Sequence, residues 1–206
     1  MDLQKLNKFS AFAAFGFAFF CLLWTILTLT LLPAAAGQKD YSLMVTDPQW
    51  TLVAITGLVS SVLALFAILG IYRRSHEKGG ILLFAGVVIF ALGILFEFAS
   101  LTWDVFIWPV VCSNEQYIQF VSSGVLIKTP QFMVFLVLML GCLFLGTVLT
   151  ALALMKIKDY GKWSPWLLIS GIVLYAAGSL VNVFIATGGL VLYCFAFILI
   201  GFRLRS

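Results

Sequence analysis

An all-α integral membrane protein with six transmembrane helices is the fold class predicted by three features of this 206-residue sequence. Hydrophobic side chains make up 63% of it and charged ones 10%. Uninterrupted apolar runs of about 17 residues or more recur along it, each long enough to cross a hydrocarbon core roughly 30 Å thick at 1.5 Å per residue. The basic residues also segregate between alternate loops. A soluble domain averages roughly 45–50% apolar and 25% charged residues. Because the bilayer core offers no water to backbone amides and carbonyls, the runs are expected to be helices. Residues 1–206 form a single helical bundle on this reading.

The first run, from Phe9 to Leu32, follows Lys5 and Lys8 and ends at Ala34-Ala35-Ala36, the look of a secretory signal with a small-residue cleavage site. It exceeds the usual apolar core of such signals, about 7–15 residues, so a retained first helix is expected. The spans are predicted at 9–32, 50–72, 81–103, 132–155, 165–185 and 188–203. Asp47-Pro48, Thr129-Pro130 and Ser164-Pro165 each place a capping side chain before a proline suited to a first helical turn. Trp50, Trp103 and Trp108 fall near one membrane boundary and Tyr72, Trp163 and Trp166 near the other, as aromatic belts do.

These spans put Lys5, Lys8, Arg73, Arg74, Lys78, Lys156, Lys158, Lys162, Arg203 and Arg205 on one side and leave Lys39 and Lys128 on the other, ten of the twelve basic residues on one face. That bias marks the cytoplasmic side, so both ends are predicted to lie there, in a plasma membrane. It also accounts for the net charge of +4 without nucleic acid as a partner. The expected partners are the lipid bilayer, with other membrane subunits or a second copy of the chain.

Sliding the chain by 85 residues lays Leu82-Leu83-Phe84-Ala85-Gly86-Val87-Val88 over Leu167-Leu168-Ile169-Ser170-Gly171-Ile172-Val173 without a gap. Ala91, Gly93 and Leu95 then align with Ala176, Gly178 and Leu180. A duplicated helical hairpin, spans 2–3 and 4–5, is the expectation this raises.

Glu97 is the one acid or base inside an apolar span, and a charge at the bilayer centre costs about 2.5–3.5 kcal/mol on insertion scales. It sits outward of the midplane by about 7 Å, so a neutral or snorkelling carboxyl is the plainer reading. Against that, Gly86, Gly93 and Glu97 share one helical stripe, and small residues there let another helix approach, so the carboxyl is expected to face the bundle interior. Asn182 is the position equivalent to Glu97, which predicts a Glu97–Asn182 polar pair. Ser100 and Asp104 extend the stripe to the outer surface. There the 104–131 segment is expected to form the longest loop, lying at the membrane interface. The candidate ligand-binding residues are therefore Glu97, Asn182, Ser100 and Asp104.

No catalytic or metal-binding pattern accompanies them. His76 is the single histidine, in a basic loop, which excludes bis-histidine haem. Cys21, Cys112, Cys142 and Cys194 sit singly on different elements, so neither a metal cluster nor a disulfide framework is expected. No nucleophile elbow, phosphate loop, basic series or filter sequence occurs. The expectation is a non-enzymatic membrane protein without a cofactor, either a small-ligand-binding or transport component or a structural, accessory subunit of a larger membrane complex.

In gross layout, six helices in about two hundred residues with the N-terminus inside, the chain is similar to the substrate-binding subunits of energy-coupling-factor vitamin transporters. Ala14-Phe15-Gly16-Phe17-Ala18 contains the small-residue spacing that such subunits use for docking, a spacing common in first spans. The likeness is one of architecture and would imply ligand binding without catalysis.

Overall fold

The computed structural model describes residues 3–32, 41–123, 125 and 128–205. Ala34-Ala35-Ala36 and Lys39 lie outside them. Helix α1 (Leu3–Leu31) is followed by the short α2 (Tyr41–Val45), the long α3 (Trp50–Phe106), the short α4 (Trp108–Cys112) and α5 (Glu115–Ser122), then α6 (Pro130–Met155), α7 (Trp163–Val181) and α8 (Val183–Arg205). No strand occurs among the described residues. Four helices, α1, α3, α6 and α8, are long and apolar enough to cross a membrane.

Helix α3 is bent back on itself. Gly80 takes φ 56° and ψ −155°, a backbone state that side-chain-bearing residues rarely adopt, and it reverses the chain between an arm over 50–79, α3a, and an arm over 81–106, α3b. A Cβ on Gly57 of α3a would lie 3.1 Å from Leu101 of α3b, and the Trp50 indole donates to the Asp104 carbonyl at 2.8 Å. The two arms therefore lie side by side. Helix continues through 73–79, where a loop is expected from the charges, because the basic side chains find partners at the helix surface. Arg73 donates to the Asn7 side chain at 2.7 Å and Arg74 to the Leu204 carbonyl at 3.1 Å, tying α1 and the end of α8 to α3. Lys78 pairs with Asp159 at 2.6 Å, and buried Ser75 donates to the buried Tyr160 hydroxyl at 2.9 Å.

Close approaches at small residues order the helices into a ring. Gly16 and Gly70 bring α1 against α3a, where they meet Leu63 and Ser10. Gly86 and Gly93 of α3b face the backbones of Thr150 and Leu143 of α6, and Gly146 of α6 faces Phe90. Gly171 and Gly178 of α7 face Tyr193 and Ala186 of α8. Gly201 of α8 meets Phe15, closing the ring on α1, and α6 adjoins α7. The glycines matched by the 85-residue shift do perform the same task, but toward the following helix. Phe90 packs on Gly146 as Tyr175 packs on Gly189. The shift thus relates Phe90 to Tyr175, each packed on a glycine of the following helix.

Other expectations need correction. Thr129 accepts from the Phe132 amide at 3.4 Å and Pro130 opens α6, as expected. Asp47 instead accepts from Gln49 at 2.8 Å ahead of α3, and the Ser164 hydroxyl donates back to the Tyr160 carbonyl at 3.0 Å. The turn between the last two helices falls at Asn182, not between 185 and 188, because Ala186 is packed against Gly178 inside α8. The 104–131 segment begins inside α3 and carries the two short helices, of which α4 is packed. Trp108 and Cys112 are buried with Trp50, Leu32, Val45, Val53 and Val121 in a small core at this end. Ala14 and Ala18 are also buried, at 0% and 1% exposure, so the spacing on α1 serves packing within the chain.

Candidate functional site

Inside the ring lies a cavity of about 90 Å³ to which every long helical segment contributes. Helix α1 supplies Phe17, Cys21 and Trp24, α3a supplies Gly57, Ser60 and Ala64, and α3b supplies Phe90, Ile94, Glu97 and Leu101. Met139, Leu140 and Leu143 come from α6, Ile172 and Tyr175 from α7, and Leu190 and Tyr193 from α8. The volume equals roughly three water molecules' share of the liquid. Its position follows from the small residues: Gly57, Ser60 and Ala64 recur along one face of α3a, and side chains so short leave space between the backbones they draw together.

Glu97 carries the one carboxyl on this wall. The Ser61 hydroxyl on the neighbouring arm donates to the Gly57 carbonyl at 3.3 Å. Ser60 donates to the Phe17 carbonyl at 3.4 Å, and the Tyr193 hydroxyl is bonded to buried Thr147 at 3.0 Å. Cys21 lies on the wall, and Cys194 of α8 is fully buried. The chamber is therefore apolar and aromatic, with one acid and a few hydroxyls.

Trp24 stands where three hollows meet. A cavity of about 180 Å³ toward the α3 hairpin's open end is lined by Trp24, Thr28, Leu101 and Asp104. A groove of about 310 Å³ between α1 and the α7–α8 hairpin shares Trp24, Tyr175 and Leu190 with the central chamber and adds Thr25, Thr28, Ser179 and Thr187. Glu97, Leu101 and Asp104 are spaced by four and three on one face of α3b, which carries a second carboxylate about 10 Å along the helix from the first.

The structure separates the four sequence-predicted residues. Glu97 and Asp104 line adjoining hollows on one face. Ser100 instead lines a groove of about 360 Å³ with Trp103, Phe132 and Phe135, which Asp104 also borders. Asn182 is exposed in extended backbone between α7 and α8, where its side chain accepts from the Phe184 amide at 2.7 Å. It caps a helix and is absent from the wall of the Glu97 chamber, so the expected Glu97–Asn182 pair does not form. The cause is the displaced turn, since a residue at a helix break cannot share the register of one in mid-helix. Sequence reasoning passed over Trp24, Ser61, Tyr175 and Tyr193. Ser60-Ser61 and the two tyrosines are polar groups deep in apolar runs, a signal that was available in the composition of the spans.

No family model matches the chain, and neither does any curated protein or solved structure.

Proposed function

We propose that this chain is a six-span membrane protein with both ends on the cytoplasmic side of the plasma membrane, and that it works without catalysis as a small-ligand-binding or transport component. Its ligand occupies the Glu97 chamber. The six spans are α1, α3a, α3b, α6, α7 and α8. The observation that carries the reading is the convergence of all six on one chamber with a single carboxyl in its wall. Taking a carboxylate out of water is costly without a partner, and intramembrane acids that face a bundle interior are functional by default. Trp24, Tyr175 and Tyr193 would contact the ligand, and Asp104 stands in the adjoining hollow.

An accessory subunit of a larger complex is the second reading, favoured by α6. Its outward face carries exposed Met133, Val134, Val137, Leu138 and Leu145, and the Gly141 Cβ position meets nothing within 4 Å. A glycine there leaves a flat seat for another helix. One experiment separates the two: purification in mild detergent, then native mass spectrometry of wild type and Glu97→Gln. A small molecule retained by wild type and lost from Glu97→Gln supports the ligand reading. A co-purifying polypeptide, with no bound molecule that depends on Glu97, replaces it with the subunit reading.

A further inference from the structure

The walls of the Glu97 chamber select a class of ligand. Among the described residues lining it there is no lysine, arginine or histidine, so any compensating positive charge must come from outside the chain. Five aromatic rings, Phe17, Trp24, Phe90, Tyr175 and Tyr193, reach the same space from α1, α3b, α7 and α8. Aromatic faces attract organic cations, most strongly where water is excluded. A hard metal ion needs about six oxygen ligands. The side chains on the wall offer the two oxygens of Glu97 and the hydroxyls of Ser60, Tyr175 and Tyr193, fewer than that number. The space equals roughly three waters.

Resting on the ligand reading above, we propose that the chamber takes a small organic monocation, an alkylammonium ion of about three or four heavy atoms, with its nitrogen on Glu97 and its carbons against the aromatic rings. Asp104, in the adjoining hollow that meets the chamber at Trp24 and Leu101, draws such cations toward the entrance. A ligand this small cannot bind tightly. At the ceiling of about 1.5 kcal/mol per heavy atom its Kd is about 0.5 mM for three atoms and about 0.04 mM for four.

The test uses the purified full chain in mild detergent and three additives: dimethylammonium chloride, sodium chloride at equal ionic strength, and ethanol, a neutral molecule with the same three heavy atoms. Melting temperature and tryptophan fluorescence are followed with concentration. Dimethylammonium raises the melting temperature saturably, with its midpoint at millimolar concentration, while sodium chloride and ethanol leave it within error. Glu97→Gln flattens the response. Trp24→Leu weakens it several-fold and Trp24→Phe retains it. The wild-type contrast between ammonium and alcohol needs no variant, so a misfolded Glu97→Gln leaves the test intact. Equal responses to dimethylammonium and ethanol, or no response beyond sodium chloride, overturn the cation assignment. In that event a neutral, Glu97-dependent molecule found by native mass spectrometry leaves the ligand site standing, and its absence removes both.

Discussion

Gly146 and Gly141 lie five residues apart on α6, and alanine at each is expected to move stability in opposite directions. A Cβ at Gly146 would stand 2.3 Å from the Phe90 nitrogen and 2.5 Å from its Cα, both backbone atoms that cannot rotate away. Ordinary contact begins near 3.4 Å, so α6 and α3b must part by about 1 Å along a seam that also includes Gly86 and Gly93. Overpacking of this kind costs about 1–3 kcal/mol, against which alanine returns up to about 1 kcal/mol of helix propensity. The net loss expected for Gly146→Ala is about 1–2 kcal/mol. At Gly141 the added methyl meets nothing within 4 Å, so Gly141→Ala is neutral or gains up to about 1 kcal/mol. The pair should therefore differ by about 1–3 kcal/mol, roughly 5- to 150-fold in the folding constant. Reversible unfolding in mixed micelles followed by circular dichroism reads this directly. Equal shifts for the two variants, or a larger loss at Gly141, would refute the assignment of α3b and α6 as a backbone-to-backbone contact.

Tyr160→Phe removes the acceptor of buried Ser75 and should cost about 1–3 kcal/mol. Adding Ser75→Ala should return part of that, since no buried hydroxyl is then left unsatisfied, and a double-mutant cycle in which the two costs simply add denies the bond. Lys78 holds the exposed Asp159 carboxyl below its usual range. The folded-state value is depressed, so the small stabilisation is present above the ordinary carboxylate value of about 3.9 and is lost as pH falls through the lower folded value. Asp159→Asn should abolish that pH dependence, and 1 M salt should mute it in wild type; a difference unchanged by salt contradicts a surface pair. For topology, a membrane-impermeant thiol reagent added to intact cells should label Asn114→Cys and spare Lys158→Cys until the membrane is opened. The reverse pattern inverts the orientation.

Sequence alone determined that this protein is helical and apolar, and approximately where its helices run. In a medium without water each segment must satisfy its own backbone, and that requirement is local, written in the composition of every 20-residue stretch. The prominence of Glu97 was legible for the same reason: one acid in a run of apolar residues needs no tertiary knowledge to notice. What surrounds it was not legible. Helical periodicity says which residues share a face, but nothing about which helix that face meets. Gly86 and Gly93 therefore announced a close approach without revealing that α6 makes it. The break between the last two helices was expected between 185 and 188 until packing of Ala186 against Gly178 drew it into a helix, placed the break at Asn182 and took that side chain out of the Glu97 chamber. Only the tertiary structure decided that Trp24, Tyr175 and Tyr193 stand around the carboxyl and that Ser100 does not, because a chamber enclosed by six segments is a property of how they close on one another.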